Sequence, residues 1–177
     1  YLSLMDASLG IPGNIDRLFF GEEALLKDEY RQLYKSLYRN PDNYMEIIAL
    51  LANHHEGLTR KEIAEKLNVV SNGHLTDMLD DLVHCDFLRL YRVGTKQRGG
   101  IYQLTDLFTL FYLKHQRQMN GDAHYWRNTL NTPKQNTWYG LAFENVCLLH
   151  HQQVITALHL DSIHTDFYAW RSKESSP

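Results

Sequence analysis

Cysteine is scarce in this chain of 177 residues, with two thiols, Cys85 and Cys147, far apart within apolar helical patterns. That scarcity favours two core thiols in a reduced intracellular protein over a disulfide or metal framework. There is no run of eighteen apolar residues and no signal-type hydrophobic region, which excludes a membrane span and makes a cytoplasmic location the expectation. Nowhere does Gly-x-x-x-x-Gly-Lys-Ser/Thr occur, so no backbone loop and lysine can cradle nucleotide phosphates. ATP hydrolysis by this chain alone is therefore not expected, and no cofactor is expected in it. Positive charge is not in excess. Eighteen Lys and Arg against 21 Asp and Glu give a formal net charge of -3, so any contact with nucleic acid or an anionic membrane must be local.

Metal-ligand spacings are missing too, since neither His-x-x-x-His nor Cys-x-x-Cys occurs. His54-His55 and His150-His151 are adjacent pairs, whose side chains point about 100° apart on a helix and cannot easily chelate one ion. No metal site is expected. Cys147 and His150, at i and i+3, have the spacing of a thiol nucleophile and its base, but a thiol on an apolar face is ordinarily inert core. Internal repeats and low-complexity segments are absent. The chain opens at Tyr1 without a methionine and closes on Ser175-Ser176-Pro177, as expected of a piece of a longer protein.

What is present is enough apolar side chain, 44% of the total, to pack one large domain or two small ones. The most informative stretch is Gly57 to Leu104. Thr59-Arg60-Lys61-Glu62 is a capping box, in which the threonine hydroxyl accepts from the Glu62 amide while the glutamate reaches back. Ile63, Ala64 and Leu67 follow on one helical face, Asn68-Val69-Val70 breaks the pattern, and Ser71 offers a second N-cap. Leu75, Met78, Leu79 and Leu82 at i, i+3, i+4 and i+7 predict the next helix. Phe87 to Val93 reads as a strand, Gly94 to Gly100 as a basic turn, and Ile101 to Leu104 as the return strand. Helix, turn, helix and basic-tipped hairpin is the order of a winged helix.

Around it, Tyr1 to Asp6 is apolar and expected to pack, and Gly10 to Gly13 reads as loop. Asn14 is a candidate cap for a short helix carrying Ile15, Leu18 and Phe19. Leu26, Tyr30, Leu33, Tyr34 and Leu37 predict one long helix from Glu22 to about Tyr38. Asn40-Pro41 resets the chain, and Tyr44, Ile47, Ile48 and Leu51 predict the helix that backs the winged helix. Thr105 can cap a helix to about Met119 that is apolar around most of its girth. Tyr125 and Trp126 sit on a short helix, and Thr132-Pro133 begins a loop. A helix from Trp138 to Leu158 is expected to bury Phe143, Val146, Cys147, His150 and Val154. Ser162 to Trp170 reads as a strand, and the aromatics Tyr112, Tyr125, Trp126, Trp138 and Tyr139 as filling between subdomains. The fold class expected is mainly α, a winged helix-turn-helix of three helices plus a β-hairpin, with flanking helices and the start of an α/β nuclease-like domain.

Several strings carry a resemblance: Asn14-Ile15-Asp16-Arg17-Leu18-Phe19-Phe20, Leu26-Lys27-Asp28-Glu29-Tyr30, Gly57-Leu58-Thr59-Arg60, Leu104-Thr105-Asp106 and Gly140-Leu141-Ala142-Phe143-Glu144. In order and spacing, over essentially the whole chain, they resemble the C-terminal half of archaeal-type AAA-family ATPases. That resemblance implies a helical lid remnant over residues 1–39, a winged-helix domain over 40–104, a helical connector over 105–137, and the first helix and strand of a truncated PD-(D/E)xK nuclease-like domain over 138–177. It also implies ATP and Mg for the parent protein and the chain's own upstream ATPase domain as partner. Glu144 matches the acidic position on the family's first nuclease-like helix and is the one catalytic candidate, as part of an incomplete site. A nuclease of this type needs an aspartate on one strand and acid-x-lysine on the next to hold the metal and steady the attacking water. Arg171-Ser172-Lys173-Glu174 lacks the preceding aspartate.

For duplex DNA the candidate contacts are Arg92, Lys96 and Arg98 on the hairpin, with Tyr91 nearby. A solvated hairpin tip is the ordinary fate of such a charge run. Over residues 41–104 seven bases face nine acids, 7 − 9 = −2, and the second helix offers Asn72, His74, Thr76 and three aspartates. Phosphates reward positive charge, and base edges are read mainly by Arg, Lys, Asn and Gln. A module inside a larger ATPase and a free-standing winged-helix transcription regulator both remain open at this point.

Overall fold

The computed structural model describes residues 2–92, 100–115, 119 and 121–164, with Arg92 described by its backbone alone. They are mainly helical, with one small antiparallel sheet. They divide into two compact units: the described residues of Tyr1–Arg39 with those of Leu107–Val154, and Asn40–Asp106 with those from Ile155 on. The first unit is discontinuous in sequence.

In the second unit, α3 (Pro41–Ala52) opens on its proline, which needs no amide partner in a first turn. Strand β1 (Leu58–Thr59) leads into α4 (Arg60–Leu67), and the capping box is formed, with the Glu62 amide donating to the Thr59 hydroxyl at 3.3 Å and the Thr59 amide to the Glu62 carboxylate at 2.7 Å. Asn68 closes α4 in the left-handed region at φ 53°, a conformation asparagine tolerates. The next cap is Asn72, not the expected Ser71: its side chain accepts from the Leu75 amide, opening α5 (Gly73–His84) one residue later. Strands β2 (Leu88–Arg92) and β3 (Gly100–Leu104) pair from Leu88 opposite Leu104 to Arg92 opposite Gly100. Strand β1 adds to the other edge of β3, giving the order β1-β3-β2. Only the hairpin is legible in the residues, because a two-residue strand such as β1 has no periodicity to detect.

One glycine is required here. Gly57 has φ 73°, and a Cβ on it would lie 2.6 Å from the Tyr102 carbonyl oxygen, so only glycine lets the chain approach β3 this closely. The core of the unit is Ile47, Ile48, Leu51, Ile63, Leu75, Leu79, Leu82 and Ile101, all nearly inaccessible. Burying each such side chain is worth about 1.5–3 kcal/mol, and the helical stripe foreseen over Leu75 to Leu82 supplies Leu75, Leu79 and Leu82 to this core.

In the first unit, α1 (Ile11–Phe19) starts earlier than expected, with Pro12 in its first turn, and Asn14 lies inside it instead of capping it. Residues 22–28 form turns, not helix. The Leu26 amide donates to the Leu18 carbonyl at 2.8 Å and Gly21, at φ 92°, donates to Met119, so the chain folds back over α1 before α2 (Glu29–Leu37) begins. Leu2, Leu4 and Met5 are exposed, contrary to the packing expected of them.

Helix α6 (Leu107–His115) follows Thr105, whose hydroxyl and amide both donate to the Phe87 carbonyl. After the short α7 (Tyr125–Asn128), helix α8 (Pro133–Leu149) begins at the expected loop: Thr132 is its cap and Pro133 its first residue. It stops at His150, and α9 (His151–Ala157) follows. The inward face of α8 carries Gln135, Trp138 and Asn145. The stripe expected inside is outside, with Phe143 70% exposed and Val146 and Val154 also exposed. The cause is Trp138, whose indole packs against Phe111 and His115 and fixes which side of α8 turns inward. Ser162 and Ile163 are turn and bend, not strand, and residues 165–170 of the expected strand lie outside the described residues.

Candidate nucleic-acid interface

Helix α5 is the element a helix-turn-helix would present to DNA. Its inward face is used up by the apolar stripe, so its outward face consists of His74, Asp77, Asp80, Asp81 and His84, all exposed. Asp81 accepts from the Tyr44 hydroxyl at 2.7 Å, and desolvation together with that bond pushes the Tyr44 phenol up to about 12. Tyr102, on β3, is also raised, first by burial and then by the Asp80 charge. His84 Nδ1 donates to the Asp80 carbonyl at 2.7 Å. The helix thus offers carboxylates and two imidazoles where phosphates would lie.

The basic side chains near it are largely committed elsewhere. Arg60, at the start of α4, donates to the Thr76 hydroxyl at 2.7 Å and ties α4 to α5, while Lys61 faces Glu65 at 3.6 Å along its own helix. On β2, Arg89 donates to the Tyr91 hydroxyl at 2.7 Å and lies over its ring, so the aromatic expected beside the hairpin bases already has a cation. Arg92 ends β2, with its side chain outside the described residues, as are Lys96 and Arg98 altogether.

Glu144 lies on the exposed side of α8. Among the described residues no three His, Cys, Asp or Glu side chains converge as they would around a metal ion. Both cysteines are exposed, Cys85 because it caps the C-terminus of α5 and Cys147 because it rides the outward face of α8, so the expectation of two core thiols does not hold. His54 and His151 each donate from Nδ1 to a carbonyl of the preceding turn, Leu50 and Leu148. Arg171 to Glu174 lie outside the described residues.

The first unit gives two residues roles that their sequence patterns do not announce, Asn14, expected as a cap, and Asp16, which entered only as part of a string. Asn14, almost fully buried, donates to the carbonyls of Asp6, Leu9 and Gly10 and accepts from the Asp6 amide at 2.7 Å, closing residues 6–10 onto α1. Asp16, equally buried, accepts from the Trp126 amide at 2.7 Å and from Arg127 Nε at 2.8 Å. A cleft of about 630 Å³ opens beside this pair, lined by Arg17, Phe20, Glu22, Glu23 and Arg127 among others. Its polar groups are largely satisfied by the protein: Arg127 also donates to His124, and Arg17 to the Leu4 carbonyl. The signal for this arrangement was Asn14 at i relative to Leu18 at i+4, a polar residue on the apolar face of a helix.

No helix among the described residues is long and apolar enough to cross a membrane. Comparison with protein-family models, with curated proteins and with solved structures finds no match for this chain.

Proposed function

We propose that this chain is the C-terminal, non-catalytic part of an archaeal-type AAA-family ATP-binding protein, in which residues 40–104 act as a winged-helix interaction module. The order α3, β1, α4, α5, β2, β3 and the sheet order β1-β3-β2 support the winged-helix reading. The family strings in Asn14 to Phe20, Gly57 to Arg60 and Gly140 to Glu144 support the wider one. ATP and Mg belong to the upstream ATPase domain, since no phosphate loop occurs in these residues.

The observation that carries the choice of module over DNA reader is the outward face of α5. Asp77, Asp80 and Asp81 there repel a phosphate backbone, and they cannot donate to base edges. A second reading, a DNA-binding transcription regulator, is favoured by Arg92, Lys96 and Arg98 on the hairpin. Under the first reading, any contact with duplex DNA is made by this hairpin alone and serves the larger protein. Glu144 belongs to a nuclease-like site that these residues leave incomplete.

The test is an amide chemical-shift titration of the chain with duplex DNA. Amides from Asn72 to His84 are expected to stay in place, with any perturbation confined to the hairpin. Sequence-dependent perturbation of α5 would establish the regulator instead.

A further inference from the structure

The packing of the first unit points to a conformational device at the end of α6. His115 is 2% exposed, and neither of its ring nitrogens has a hydrogen-bond partner among the described residues. It is enclosed by rings from four elements or their edges: Phe111 on α6 at 5.0 Å between centroids, Trp126 and Tyr125 on α7 at 5.3 and 5.9 Å, Trp138 on α8 at 5.7 Å, and Phe20 just past α1 at 6.4 Å. A neutral imidazole can fill such a space as an aromatic ring does. An imidazolium there has two donors and no acceptor.

The charged groups around it do not help the proton. Lys114 on α6 and Lys134 on α8 both oppose it, and Lys134 donates to the Tyr125 hydroxyl at 2.9 Å. The carboxylate facing this region from α1, Asp16, is held by Arg127 and the Trp126 amide, and Arg17 on α1 is turned to the Leu4 carbonyl. Asp122 and His124, preceding α7, bond to Asn128 and Arg127.

We propose that His115 is an acid-released latch: uncharged it joins α6 to α1, α7 and α8 through ring contacts, and taking up a proton it must leave the cage, loosening this unit. Burial first, then the two lysines, lower its pKa to about 4, against about 6.5 in an unfolded chain. The unfolded state therefore binds the proton first, and the latch weakens as pH falls from about 6.5 toward 4.

The test uses the whole chain. An NMR titration of the His115 ring is expected to give a midpoint well below 6.5, with loss of the near-ultraviolet signal of Trp126 and Trp138 over the same range. In H115F, which keeps a ring in the cage, the thermal midpoint should fall less between pH 6.5 and 4 than in the wild type, with H115L as a second variant if H115F does not fold. A loss shared equally by wild type and variant does not arise at His115 and overturns the latch, as does a His115 midpoint at or above 6.5. If neither variant folds, the ring midpoint alone decides.

Discussion

Asp16 and Arg127, 111 residues apart, meet in an ion pair of 2.8 Å in which the carboxylate is 2% exposed and the guanidinium 46%. The pair joins α1 to the start of α7, and its buried member has no water to replace a lost partner. Removing one side of such a pair typically costs about 3–5 kcal/mol, because the other charge is left uncompensated. R127A is expected at or below the low end of that range, since the Trp126 amide still serves the carboxylate. D16A strips both Trp126 and Arg127 and is expected to cost about 3 kcal/mol. Denaturant unfolding followed by tryptophan fluorescence measures both, and a loss below about 1 kcal/mol for D16A would show the pair to be incidental.

Tyr44 and Asp81 give a second expectation, in the other unit. The bond between them is charge-assisted, and Y44F is expected to destabilise the chain by about 1 kcal/mol at neutral pH. The phenol is raised from 10.0 to about 12, so the folded state holds this proton longer than the unfolded one. That contribution is complete below pH 10 and is lost as pH rises toward 12. Because the group is partly open to solvent, the loss is expected not to exceed about 1 kcal/mol. Alkaline unfolding curves of wild type and Y44F should converge over that interval, and parallel curves would contradict the assignment.

Phe143, on the outer side of α8, should matter little to the fold. At 70% exposure its replacement by serine is expected to change stability by no more than about 0.5 kcal/mol. A loss of 2 kcal/mol or more in thermal unfolding would mean that the side chain is covered in solution.

These cases mark where the sequence was readable. Thr59 with Glu62, and Leu75 with Met78, Leu79 and Leu82, announce themselves because cap and stripe are local patterns that tertiary packing then used unchanged. Asp16 with Arg127 is not local, and no spacing rule reaches across 111 residues. Leu26 sits at a helical interval from Tyr30, yet a turn at Gly21 buries it just as well, so its periodicity misled. On α8, Phe143, Val146 and Cys147 satisfy the pattern of an inward face, but the bulk of Trp138 against Phe111 and His115 turned the helix the other way. The candidate DNA contacts were readable as a charge run only, while the acidic outward face of α5, on which the proposed reading rests, follows directly from the stripe on its opposite side.

The central proposal, that residues 40–104 serve a larger protein and do not read DNA, is tested most directly by measuring affinity for duplex DNA across salt concentrations. A reader anchored by Arg92, Lys96 and Arg98 requires log K to fall with log salt at a slope of roughly −2 to −3, about −0.9 for each phosphate neutralised. The expected result is no saturable binding in the micromolar range at physiological salt. Micromolar binding with that slope, abolished in R92A/K96A/R98A, would contradict it.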